Sequence, residues 1–373
     1  AHFLEHMLFM GTKKYPTENA YDAFLSKQGG SDNAYTELEY TVYHFEIPQE
    51  GLFQALDMFA QFFIHPLLLE DAVERELNSI ESEFQLSKNS DHCRVQQLMC
   101  ETCGHDAEQH PFAKFSWGNL ASLKETPENN GVCIMDLLRS FYNQYYYASN
   151  MRLVVIGAYS LDVLQKHVAD KFSNVPALPR EPSPLQPTLV DKDTWDAVYE
   201  SKMKRCGLPF ERATLGKIFR IVPVKDIHSL LLTWQLPSQF SNWRTKPCDY
   251  IAHLLGHEAQ GSLFSALKAK SWVTGLYAGV GSSGLETASS HALFTVTLSL
   301  SREGVANWRC IVTEVYRYIG MMRYYAASTE GLPEWIHEEL KSIHELAYRY
   351  GDEVSSDDFV QELAEELAPH MCL

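Results

Sequence analysis

The sequence predicts an α+β fold in which one domain occurs twice. Three observations carry that reading. Strand-like and amphipathic helical segments interleave along the chain, a Pro-rich stretch interrupts its middle, and short segments of the first half recur in order in the second. Of 373 residues, 45% are hydrophobic and 21% charged, the balance of an ordinary globular protein long enough for two cores.

Taken in order, helical periodicity covers residues 21–27, 52–63, 70–85 and 132–147. Residues 40–47 alternate Tyr, Val, His, Phe and Ile as a half-buried strand does, and residues 151–156 (MRLVVI) read as a second strand. Pro176, Pro179, Pro182, Pro184 and Pro187 are too dense for a helix or a central strand, so this stretch reads as a linker or surface excursion. Beyond it, residues 217–222 and 229–234 are again strand-like.

The repeat is legible as four matches. His2-Phe-Leu-Glu5-His6 aligns with His253-Leu-Leu-Gly256-His257, and Gly29-Gly30-Ser31 with Gly281-Ser282-Ser283. Phe45-Glu-Ile47 followed by Glu50-Gly51 aligns with Val296-Thr-Leu298 followed by Glu303-Gly304. Glu76-Leu77-Asn78-Ser79-Ile80 aligns with Glu339-Leu340-Lys341-Ser342-Ile343. The expected division is a first domain over residues 1–175, a Pro-rich variable segment over 176–212 and a second domain over 213–373. Copy two has strand-like sequence before its His253 that copy one lacks, and copy one runs on where copy two stops. Both ends of the chain are therefore expected to fall inside domains, making it a fragment that opens at Ala1 with no signal-peptide pattern.

His2-x-x-Glu5-His6 has the spacing of an inverted zinc-peptidase motif. Residues i and i+4 lie one above the other on a helix, so both imidazoles can reach one metal, and Glu5 points to the same side. The flanking sequence is apolar nearly all round. That would bury three ionisable groups, and a divalent cation is a sufficient partner for them. The bland reading is a pair of hydrogen-bonded core histidines beside a salt-bridged glutamate. A catalytic zinc needs a third protein ligand. The helix around the stripe Val73, Leu77, Ile80 and Phe84 offers Glu76 and Glu83 at the stripe's edge, whereas Glu74 and Glu81 turn outward as a solvated acidic face. One of Glu76 and Glu83 serves as ligand and the other holds a ligand imidazole; spacing leaves their order open.

At these residues the sequence resembles the insulysin/nardilysin family of zinc peptidases, and it looks closer to the nardilysin-like members. The resemblance is carried by HFLEHMLFMGTKKYP (2–16), GGSDNAYT (29–36), QFFIHP (61–66), RELNSIESEFQ (75–85) and HPFAKFSWGN (110–119), with IVPVKDI (221–227) and residues 256–272 in the second half. It implies two-layer domains of mainly antiparallel sheet packed by helices, as in processing peptidases. It also implies one Zn²⁺ held by His2, His6 and Glu83, Glu5 as general base and Glu76 as the carboxylate behind a ligand. The segment near Asn33 and Ala34 would be the sheet edge on which a peptide adds as an extra strand. In copy two Gly256 stands for Glu5 and Leu346 for Glu83, so His253 and His257 are expected to be structural.

The expected activity is zinc-dependent endopeptidase or oligopeptidase hydrolysis of short peptides, with the missing second half of the family's enclosure as a partner. The alternative is a non-catalytic peptide-binding or scaffold member, which retention of Glu5 and Glu83 opposes. Asp plus Glu number 48 against 31 Lys plus Arg, a formal charge of −17. This disfavours nucleic acid and suits basic peptides. No apolar run reaches the roughly 18–20 residues of a membrane span. The eight cysteines, with Cys100-x-x-Cys103 on a helix and no Asn-x-Ser/Thr sequon, read as reduced cytoplasmic thiols.

Overall fold

Helix α1 (His2–Leu8) turns Phe3, Leu4, Met7 and Leu8 into the core together with Glu5. Helix α2 (Ala20–Gln28) ends at Gly29, whose φ of +78° lets its N–H bond back to the Leu25 and Ser26 carbonyls. Gly30 then brings strand β1 (Ser31–Thr36) against strand β2 (Thr41–Glu46), because a Cβ at Gly30 would sit 2.4 Å from the Glu46 carbonyl oxygen. The two strands are antiparallel, in register from Ser31↔Glu46 to Thr36↔Thr41. Helix α3 (Leu52–Ile64), apolar over most of its length, buries Phe59 and Phe62 in the same core as Leu4 and Met7. Helix α4 (Val73–Ser87) adds Val73, Leu77 and Ile80, the predicted stripe. Helices α5 (Asp91–Thr102), α6 (Ile134–Tyr145) and α7 (Leu161–Phe172) follow.

In the second half, strand β3 (Ser229–Pro237) precedes helices α8 (Pro247–Gly256) and α9 (Leu263–Ala269), the latter capped by Ser262. Strands β4 (Val273–Val280) and β5 (His291–Leu300) complete an antiparallel sheet of order β3-β5-β4. Helices α10 (Trp308–Ala327), α11 (Glu334–Tyr350) and α12 (Ser356–Leu367) end it. Its core gathers Leu255, Leu267, Leu276, Val296, Leu298, Ile311 and Val315.

This computed structural model describes residues 1–105, 110–180, 207–329 and 331–367. Most of the Pro-rich segment, residues 181–206, lies outside the described residues. The chain forms two compact units. The first joins the described parts of Ala1–Cys100, Lys114–Lys202 and Val354–Leu373; the second joins those of Glu101–Ala113 and Met203–Glu353. Within the first unit, α12 lies against β2, tied by His44 Nδ1 to Asp357 at 2.7 Å and by the Tyr35 hydroxyl, which donates to Glu365.

The element order α1-α2-β1-β2-α3-α4 recurs as α8-α9-β4-β5-α10-α11. Gly51 and Gly304, each buried just beyond the second strand of its copy, are equivalent in place. One match of the repeat is displaced: Gly281-Ser282-Ser283 follows β4, whereas Gly29-Gly30-Ser31 leads into β1. Two strand expectations also differ. Residues 151–156 and 217–222 are assigned to no strand, and Ile218 and Val222 are 70% and 81% exposed. β-branched composition marks a segment suited to a sheet, but a ladder also needs a neighbouring edge, which composition does not supply. No described helix is long and apolar enough to cross a membrane.

Candidate metal centre

The two imidazoles of α1 are set by their own hydrogen bonds. His2 Nδ1 lies 2.6 Å from the carbonyl oxygen of Trp117. A carbonyl only accepts, so Nδ1 carries the proton and donates, leaving the Nε2 lone pair free in the neutral ring. His6 Nδ1 lies 3.2 Å from Oε2 of Glu76 and donates likewise. Both free nitrogens face one carboxylate: His2 Nε2 is 3.4 Å and His6 Nε2 is 3.5 Å from the two oxygens of Glu83.

Nitrogen and oxygen lone pairs aimed at each other repel unless a positive charge stands between them. The edge of a tetrahedron of ligands around zinc, with bonds of about 2.0–2.1 Å, is about 3.4 Å, which matches these separations. The donor set, two imidazoles and a carboxylate, also suits zinc. The residues present therefore fit the ion.

Glu5 is only 6% exposed and shares a ligand-sized cluster with His2 and His6. Burial pushes its carboxyl above the ordinary glutamate value, against the pull of the Thr36 hydroxyl, which donates to it, and of the two imidazoles. Burial opposes charge on His6 too. The Glu76 hydrogen bond and the charges of Glu83 and Glu5 outweigh it, so His6 stands above the ordinary histidine value. The site thus holds a carboxyl and an imidazole whose environments both favour an added proton, the setting in which proton transfer is tuned.

The α4 glutamates separate by function of position. Glu76 and Glu83 face α1, Glu74 pairs with Lys124 at 2.5 Å, and Glu81 accepts the Leu120 N–H at 2.9 Å. Asn33 and Ala34 lie on β1, which pairs only with β2 among the described residues. The Ala34 N–H is bonded at 2.9 Å to the side-chain oxygen of its neighbour Asn33. Within residues 110–119, His110 and Phe112 are fully buried and Phe115 meets Phe84 edge-on. This segment touches the site through a backbone carbonyl, that of Trp117. From sequence, Trp117 stood with Phe112 and Phe115 as aromatics that either wall the site or simply pack; its carbonyl contact had no residue signature, and Thr36 had no stated role.

A family model described as "Insulinase (Peptidase family M16)" matches residues 1–113, and one described as "Peptidase M16 inactive domain" matches residues 134–343. The chain belongs to peptidase family M16. A nardilysin-like protein of Arabidopsis thaliana is 42% identical over 98% of this chain, which covers 33% of that protein. Human nardilysin is 37% identical over 98% of this chain and 30% of its own length. The crystal structure of pitrilysin superposes with a TM-score of 0.80 at 26% identity, over 99% of this chain and 36% of that one. This M16 chain therefore spans about a third of the length of the curated relatives it matches. The α+β architecture is the one expected of insulysin-like proteins.

Proposed function

We propose that this M16 chain carries the catalytic centre of a zinc-dependent endopeptidase or oligopeptidase acting on short peptides. The observation that carries the reading is the convergence of two free imidazole nitrogens on one carboxylate beside buried Glu5. His2, His6 and Glu83 hold the metal, and Glu76 orients His6. Zinc held there would polarise the scissile carbonyl and lower the pKa of an attacking water toward about 7. Glu5, positioned by Thr36, takes the water proton as the carbon–oxygen bond forms and returns it to the leaving nitrogen as the carbon–nitrogen bond breaks. β1 offers the peptide an edge near Asn33 and Ala34, where the Ala34 N–H exchanges its local partner for a substrate carbonyl.

The net charge of −17 supports peptides with basic residues near the cut. No disulfide joins the six described cysteines, which supports a cytoplasmic setting. The chain acts as part of a longer protein, and alone it binds zinc but hydrolyses peptides poorly. Glu5→Gln tests the assignment: in a peptide-hydrolysis assay of the longer protein it lowers kcat by about 10²–10⁴-fold while zinc content is kept. Undiminished turnover in a folded, zinc-loaded Glu5→Gln protein would remove Glu5 from the mechanism, and full turnover by these 373 residues alone would refute the need for a longer protein.

A further inference from the structure

The second unit holds its own cluster of metal-ligating side chains. One donor atom each from His253, His257 and Glu339 lie within 4.8 Å of one another, as those of His2, Glu5 and His6 do in copy one. The His253 and His257 ring centres are 5.5 Å apart at 76°, close to the 5.0 Å and 81° of His2 and His6. Among the described residues His253 Nε2 is buried without a hydrogen-bond partner, and Glu339 Oε2 lies 3.7 Å from it. A buried ring nitrogen left bare is costly, and a cation between it and a carboxylate removes that cost.

Alignment to copy one puts Leu346 at the position of Glu83, and Leu346 is 58% exposed, away from any ligand role. The carboxylate comes instead from Glu339, the counterpart of Glu76. In copy one Glu76 bonds the Nδ1 side of an imidazole; in copy two Glu339 stands at an Nε2. The same position on the long helix has moved from behind a ligand to the front.

We infer that His253, His257 and Glu339 form a second divalent-cation site, selective for zinc by its two imidazoles and one carboxylate. It pins the end of α8 to α11. Gly256 replaces the base, so the site is structural. It is weaker than the first for a visible reason. The Ala259 N–H donates to His257 Nδ1 at 3.0 Å, which places the proton of the neutral ring on Nε2, and that bond must be given up for Nε2 to ligate. Lacking the acceptor that holds His2 or His6 ready, the site should bind roughly 10–100-fold more weakly.

The test is zinc content of the metal-stripped 373-residue chain, dialysed at a series of buffered free-zinc concentrations and read by mass spectrometry. Two equivalents are expected, filling at separate concentrations. His253→Asn and Glu339→Gln each lose the weaker one and keep the tighter one. Glu339 is half-exposed, so Glu339→Gln reads the site even if His253→Asn folds poorly, as circular dichroism would reveal. A single equivalent in the parent chain, or a weaker equivalent that survives Glu339→Gln, overturns the site.

Discussion

His6 Nδ1 stands 3.2 Å from Oε2 of Glu76, a carboxylate 70 residues away on the helix that also presents Glu83 to the opposite side of the same ring. One helix thus supplies both what holds the imidazole and what it faces. Glu76→Ala should leave the ring free to change tautomer and weaken zinc binding by roughly 10–100-fold, with the fold intact. Competition against a chelator of known affinity measures it; unchanged affinity would make Glu76 a bystander.

Glu76→Gln is the finer variant. An amide oxygen still accepts from His6 Nδ1 without the negative charge, so its zinc affinity should fall between those of the parent and Glu76→Ala. Equal losses in both variants would assign the whole effect to charge.

How much of this was readable beforehand differs by residue. The zinc-motif spacing of His2, Glu5 and His6 and the stripe of α4 follow from a 3.6-residue period, so the helices and their facing side chains were legible. The order of Glu76 and Glu83 was not legible from that period, and only the family resemblance implied it. They are one heptad apart on the same face, so the position of α1 along α4 decides which ring nitrogen each one meets. Trp117 stood out in sequence as an aromatic able to wall the site, but it acts through its carbonyl, which leaves no mark there. Residues 151–156 carry a strand's composition, but no neighbouring edge pairs with them in the described structure.

Acid should loosen the second unit. His110 and His291 are fully buried there, and burial holds both below the ordinary histidine value. His110 accepts the Phe112 N–H at Nδ1 and donates from Nε2 to the Gly207 carbonyl, an arrangement only the neutral ring can make. The unfolded chain therefore takes up protons first. Stability is full above about pH 6.5 and falls as the pH drops below it toward the folded-state values. Melting temperature followed from pH 8 to pH 5 should decline, and replacing both histidines with glutamine should flatten the decline. A profile with the same slope in the double variant would place the acid sensitivity elsewhere.

Gly30→Ala should destabilise the first unit by about 1–3 kcal/mol, since its methyl would meet the Glu46 carbonyl at 2.4 Å and force β1 from β2. Gly131→Ala is the contrast: among the described residues, its chain neighbours aside, none comes within 4 Å of an added Cβ, so its φ of +68° is what resists the change. Urea unfolding of the two variants separates contact from backbone strain; equal losses would mean that the Glu46 contact relaxes freely.

The central claim is that His2, His6 and Glu83 hold one tight zinc, and Glu83→Ala beside Glu81→Ala tests it most directly. The two glutamates share a helix, yet Glu83 faces both imidazoles while Glu81 accepts the Leu120 N–H. After dialysis against a chelator that strips weaker sites, the parent and Glu81→Ala should each retain one zinc per chain and Glu83→Ala none. Retention of that zinc in Glu83→Ala, or its loss in Glu81→Ala, would contradict the assignment.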